Sequence, residues 1–102
     1  MNTPLEKEIE RKLRILVEKN LGGLCLKWVC PGWSGVPDRI LLFPGGKVYF
    51  VELKRPKKGK ADPLQIWWKR RLEGLGFTVL HVYDVEQLKH LDLILADELS
   101  RK

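Results

Sequence analysis

The chain has 102 residues, a length that suits one compact domain, residues 1–102. Hydrophobic residues make up 44% of it, which argues against wholesale disorder, and 19 Lys and Arg against 13 Asp and Glu give a net charge of +6, which favours a polyanionic partner. No stretch approaches the roughly 18 apolar residues of a membrane span, and the charged N-terminus does not resemble a signal peptide. We therefore expect a cytoplasmic protein without a membrane partner.

The first half of the chain predicts one helix followed by three strands. Leu5, Ile9, Leu13, Leu16 and Val17 recur at helical spacing, with Thr3-Pro4 as a start signal and Gly22-Gly23 as a stop signal. Next come a strand, a loop rich in turn residues, and two apolar strands separated by Pro-Gly-Gly. The expected bounds are helix 4–20, strand 24–30, loop 31–37, and strands 38–43 and 47–54.

The second half predicts a basic loop over 54–62, a helix, a strand and a final helical stretch. Asp62-Pro63 is typical of a helix start, and an apolar face follows, formed by Leu64, Trp67, Trp68, Leu72 and Leu75. Residues 77–83 read as a strand, inside which His81 is expected to be packed. Asp84 can cap one or two further helices. The order predicts an α/β fold with a mixed sheet of about four strands flanked by helices.

Several chemistries find no support in the sequence. Cys25 and Cys30 are separated by four residues, and His81 and His90 lie far from them, so a four-ligand zinc site is not indicated and two reduced thiols are expected. Ser34 has no G-x-S-x-G context, and no Gly-rich phosphate loop of the nucleotide-binding type is present.

Three charged residues instead mark one end of the hydrophobic hairpin: Asp38, Glu52 and Lys54. If Pro44-Gly45-Gly46 is a three-residue loop, Phe43 pairs with Lys47 and Asp38 lies opposite Glu52. A two-residue turn would send the two carboxylates to opposite faces. Because three-residue hairpin loops with Gly in the left-handed region are common, we predict the first register.

Opposed carboxylates would have Cβ atoms about 4.5 to 5.5 Å apart and would repel each other. A divalent cation removes this repulsion, and Mg²⁺ prefers such oxygen ligands together with water and phosphate. Lys54 beside the cation could orient a nucleophilic water and offset negative charge in the transition state. A solvated ion pair at the strand end is the alternative interpretation.

The same residues resemble the PD-(D/E)XK nuclease superfamily, through Pro37-Asp38 and Glu52-Leu53-Lys54. More narrowly, G-V-P-D-R at 35–39, P-G-G at 44–46 and V-E-L-K-R-P at 51–56 are similar to the VRR-NUC family. So are the downstream Gln65 and, further along, Leu75, Gly76 and Val79. The resemblance spans about residues 5–90 and implies a restriction-endonuclease-like fold.

The resemblance implies specific roles for these residues. Asp38, Glu52 and the backbone carbonyl of Leu53 would bind the catalytic Mg²⁺, for which Mn²⁺ could substitute, and Lys54 would be the catalytic lysine. A glutamate of the first helix would complete the site. Glu6 is our choice because it lies nearer the apolar stripe than Glu10, although a surface position is open for both. Gln65 would face the site or the DNA backbone, with helix capping as the alternative.

This chain resembles the compact stand-alone members of the family, many of which come from phages and bacteria. Those members look like homodimeric, structure-selective endonucleases that resolve four-way junctions. This chain would then cut branched or duplex DNA as a homodimer. A flap- or end-directed repair or restriction-type nuclease and a non-catalytic DNA-binding module are the competing hypotheses. Candidate DNA contacts are the basic side chains near the motif and one indole that could stack on a base: Lys27, Trp33, Arg39, Arg55, Lys57, Lys58 and Lys60.

Overall fold

The computed structural model describes residues 4–53 and 62–101, with side chains from residue 6 onward. Helix α1 leads through a wider π-helical turn into β1, the hairpin β2–β3 follows, and α2, β4 and α3 complete the order. The predicted class and element order are confirmed. The bounds are α1 Pro4–Ile15, π-helical turn Leu16–Asn20, β1 Leu24–Lys27, β2 Arg39–Phe43, β3 Lys47–Glu52, α2 Pro63–Gly74, β4 Thr78–His81 and α3 Val85–Ser100.

The strands form one mixed sheet in the order β1-β2-β3-β4. The first three are antiparallel neighbours, whereas β4 runs parallel to β3 and is reached through α2, as a parallel pair requires a long crossover. Asp62 and Asp84 cap α2 and α3 as predicted, each side chain accepting a backbone N–H at 2.8 Å. The final helical stretch is one helix, and Thr3 lies outside the described residues.

The hairpin has the predicted register. Phe43 pairs with Lys47 across a three-residue turn, in which Gly45 and Gly46 have φ values of 85° and 74° that side chains disfavour. The last strand pair is Arg39 with Val51, so the next position of the same register sets Asp38 opposite Glu52.

The main core fills the space between one face of the sheet and helices α1 and α3. Alternate residues of β2 and β3, such as Leu41 and Val51, are fully buried there, as are Leu13 on α1 and Leu95 on α3. The π-helical turn contributes two consecutive buried residues, Leu16 and Val17. In the described part of the chain, no helix combines the length and the apolar character of a membrane span.

The other face of the sheet is covered by α2 alone. Its buried cluster is small, Phe50, Leu72 and Val79, with the indoles of Trp28 and Trp68 packed against it. The apolar face predicted for α2 is therefore only partly buried: Leu72 is covered, whereas Leu64, Trp67 and Leu75 are exposed because one helix cannot be enclosed on both flanks.

Candidate active site

The loop between β1 and β2 is held tightly against the start of α2. Gly35 has a φ of +84°, and a Cβ there would lie 2.5 Å from the Cβ of Leu64, so the contact needs glycine. Trp68 Nε1 donates to the carbonyl of Ser34 at 3.0 Å. These contacts fix the backbone that leads into Asp38, whose carbonyl accepts a hydrogen bond from Trp28 N at 3.1 Å.

The carboxylates of Asp38 and Glu52 lie at the same end of the hairpin. Asp38 stands one residue before β2, and its Oδ2 accepts the backbone N–H of Leu53 at 2.7 Å. This bond ties the two strand ends together and fixes the direction of the carboxylate. Glu52, the last residue of β3, is only 4% exposed. The two side chains line different cavities, which share Pro37 as a wall.

Asp38 opens into the first of these cavities, which we call the acidic cavity and which has a volume of about 350 Å³. Glu6 and Glu10 both reach it from α1. Glu10 forms an ion pair with Arg39, whose side chain is 12% exposed, and burial lowers the pKa of that guanidinium. The full lining is Glu6, Glu10, Lys27, Trp28, Val29, Cys30, Trp33, Val36, Pro37, Asp38, Arg39 and Leu53.

Glu52 lines the second cavity, which we call the α2 cavity and which has a volume of about 190 Å³. Its buried floor is Pro37, Glu52 and Val79, and its more exposed mouth is Gln65, Ile66, Lys69, His81 and Tyr83. His81 is the parallel strand partner of Glu52. The expectation that His81 is packed inside the strand is wrong, because β4 is an edge strand and leaves this side chain exposed.

The predicted DNA contacts divide into three groups. Lys27 and Trp33 are exposed and line the acidic cavity. Arg39 lines it too but is engaged with Glu10, and Gln65 stands at the α2 cavity. Arg55, Lys57, Lys58 and Lys60 lie outside the described residues, as does the predicted catalytic Lys54. The roles in DNA binding that the sequence predicts for these residues stay predictions, as do the predicted roles in metal binding and catalysis.

The predicted metal ligands are all oxygen donors, which is the donor chemistry that Mg²⁺ prefers. Among the described residues, no three His, Cys, Asp or Glu side chains are grouped closely enough to hold a metal ion. Two carboxylates completed by a backbone carbonyl and water would still match the usual coordination of Mg²⁺. Cys25 and Cys30 are free thiols, and burial raises the pKa of Cys25 to about 11.

Lys69, His81 and Tyr83 line the α2 cavity with Glu52, and the sequence did not predict them as site residues. A signal was present for Lys69, which stands one helical turn after Gln65 and so shares its face. His81 and Tyr83 are two residues apart at the end of β4 and just after it, but only the pairing of β4 with β3 sets His81 beside Glu52.

A mixed sheet with carboxylates at the ends of two adjacent central strands defines the class of PD-(D/E)XK nucleases. A solved structure described as a VRR_NUC domain superposes with a TM-score of 0.70 at 31% identity, covering 84% of this chain and 92% of that one. The protein named "Putative nuclease p44" of Acyrthosiphon pisum secondary endosymbiont phage 1 is 42% identical over 86 residues, which are 84% of this chain and 89% of p44. No protein-family model matches the sequence. The chain belongs to the VRR-NUC family of nucleases.

Proposed function

We propose that this nuclease is a metal-dependent, structure-selective DNA endonuclease that resolves four-way junctions as a homodimer. The observation that carries the proposal is the hairpin register, which brings Asp38 and Glu52 to one end of adjacent strands, with Asp38 held by the Leu53 N–H. A protein that only bound DNA would gain nothing from carboxylates beside phosphates, because they repel each other.

The proposed cofactor is Mg²⁺, or Mn²⁺ in its place. Asp38, Glu52, the carbonyl of Leu53 and Glu6 would hold it. When bound, such a cation acts as a Lewis acid toward the phosphoryl oxygen of the scissile group. Glu6 is the proposed helix ligand because it lines the acidic cavity together with Asp38.

The chain's own residues would supply the remaining chemistry. Lys54 would orient the attacking water and offset negative charge in the transition state. The Leu53 N–H keeps Asp38 in one orientation, so the site needs little rearrangement when the substrate binds. Lys27 would contact a phosphate, and the exposed indole of Trp33 would stack on an unpaired base at the rim of the acidic cavity.

A twofold dimer suits junction resolution because two matched nicks need two identical sites. Exposed apolar side chains give the chain candidate interfaces: Leu24 and Leu26 on β1, Trp67 on α2 and Leu93 on α3. Light scattering on the purified protein, alone and with a junction, measures whether the active species is the dimer.

The decisive experiment mixes wild-type protein, Asp38→Asn, Glu52→Gln and Lys54→Ala with labelled four-way junction, flap, linear duplex and single-stranded DNA, in Mg²⁺, Mn²⁺ or EDTA. We expect paired nicks in the junction that need the metal and fall at least a hundredfold in each variant, because each removes a ligand or the catalytic lysine. Junction binding should remain.

Asp97→Asn is the matched control, since Asp97 is an exposed carboxylate of α3 paired with Arg101, and the adjacent Glu98 contacts Lys47 at the turn end of the hairpin, opposite to Glu52. It should cut like the wild type. Cleavage of flaps or ends in preference to junctions would keep the nuclease and reject the resolvase. DNA binding without cleavage on any substrate would reject the catalytic proposal altogether.

A further inference from the structure

The mouth of the α2 cavity gathers hydrogen-bond donors that the proposed chemistry does not use. Lys69 projects from α2, and His81 and Tyr83 from β4 and the residues that follow it. Gln65 stands beside them, one turn before Lys69. Beneath this ring of donors lies the buried carboxylate of Glu52. A ligand at the mouth would therefore sit directly next to the proposed cleavage site.

The histidine is oriented by its neighbour. Tyr83 Oη and His81 Nδ1 are 2.7 Å apart, and the rings are tilted against each other with centroids 5.5 Å apart. In the tautomer in which Nδ1 accepts a hydrogen bond from the Tyr83 hydroxyl, the imidazole hydrogen is on Nε2, which is then an oriented donor. Partial burial of the ring lowers the pKa of His81, the positive charge of Lys69 lowers it further, and Glu73 partly opposes both. Lys69 is thus close enough for its charge to be felt at the imidazole.

We propose that Lys69, His81 and Tyr83 form a phosphate-binding subsite at the mouth of the α2 cavity. It takes a phosphodiester group of the bound DNA next to the one that is cleaved, and so rests on the proposed function. An ammonium group and an oriented N–H provide two donors for the oxygens of one phosphate, with the Gln65 amide within the same mouth. Phosphate contacts of this kind set the position of the strand, not its sequence.

The test measures binding of fluorescein-labelled duplex and four-way junction DNA in EDTA by anisotropy at several salt concentrations. Lys69→Met should weaken both complexes about tenfold and should lower the slope of log K against log salt by about 0.9, the share of one phosphate contact. Lys69→Arg should restore the slope. Lys19→Met is the control. This exposed lysine lies in the π-helical turn after the C-terminal end of α1, whereas Glu6 lies near its N-terminal end.

The histidine gives an independent readout. His81→Leu should lower the affinity several-fold without a change in slope, since a neutral donor releases no counterion. His81→Gln, which keeps an N–H, should retain most of the affinity. If Lys69→Met behaves like Lys19→Met, or if His81→Leu binds like the wild type, the subsite is refuted while junction cleavage by the wild type keeps the proposed function. If the wild type neither binds nor cuts DNA, both proposals are refuted.

Discussion

The two faces of the sheet use the same four strands but are covered differently. On one face, α1 and α3 enclose a core in which Leu13, Leu41 and Leu95 have no measurable exposure. On the other face, α2 alone packs on the sheet, its Leu72 forming a small buried cluster with Phe50 and Val79, and several of its apolar side chains remain exposed to solvent. Both cavities border the hairpin end, and the α2 cavity belongs wholly to the second face.

We therefore infer different roles for the two faces of the sheet, one in stability and the other in ligand binding. The enclosed face buries enough apolar surface to support the fold, whereas the open face keeps polar groups and indoles accessible for a ligand. The aromatic rings of the open face form a connected series, with centroid distances of 5.1 Å between Trp28 and Phe50 and 5.8 Å between Trp28 and Trp68. They attach the loop that carries the Asp38 motif to α2.

The largest effect should come from breaking the enclosed face. Leu95→Ala should lower the free energy of unfolding by about 4 kcal/mol, because Leu95 is fully enclosed and leaves a cavity. Leu72→Ala, on the open face, should cost about 2 kcal/mol, since partly exposed neighbours can relax into the gap. Leu93→Ala is the control on α3, 70% exposed, and should change stability by less than about 0.5 kcal/mol. Guanidinium unfolding of the three variants measures these values, and equal losses for Leu95 and Leu72 would contradict the comparison.

A smaller effect should follow from separating the loop from α2. Gly35 and Gly32 have the same φ of +84°, but only Gly35 has no room for a Cβ. Gly32→Ala should therefore cost about 1 kcal/mol, the penalty of a left-handed backbone, and Gly35→Ala more than about 2 kcal/mol. Thermal unfolding compares the two directly.

The two glycine variants also separate stability from activity. Gly35→Ala should reduce DNA cleavage because the displaced loop carries Asp38, and Gly32→Ala should leave it near the wild-type rate. Equal stability of the two variants would mean that the loop does not depend on its contact with Leu64.

The smallest effect concerns pH and the enclosed face. Tyr49 donates to Glu98 Oε2 at 2.6 Å, and burial together with this carboxylate raises the pKa of Tyr49 to about 12 from its ordinary value of 10.0. Because the folded-state pKa is the higher one, the stabilisation is complete below pH 10 and is lost as the pH rises toward 12. At neutral pH, Tyr49→Phe should lose about 1 kcal/mol, the contribution of one such hydrogen bond.

The measurement is the stability difference between wild type and Tyr49→Phe across this alkaline range. It should shrink steadily above pH 10, while effects common to both proteins, such as ionisation of Cys25, cancel. A difference that is constant with pH would show that the Tyr49 proton does not contribute.

Much of the fold could be predicted from local signals in the sequence. The caps at Asp62 and Asp84, the two apolar hairpin strands and the glycines of the turn between them are properties of short segments, and each of these predictions is confirmed. The turn length also fixed the register and therefore the relation of Asp38 to Glu52, since a shift by one residue would reverse the face. The family followed from the motif at the same place.

The tertiary structure decided what depends on distant segments. Burial along α2 depends on how many elements cover that face of the sheet, and the helical spacing of apolar residues does not carry this information. Leu64 and Trp67 are therefore exposed despite their apolar spacing. The pairing of Arg39 with Glu10 joins β2 to α1, and the position of His81 beside Glu52 depends on the parallel crossover to β4. Sequence thus determined the local elements and the motif, whereas long-range packing determined which polar groups share a cavity.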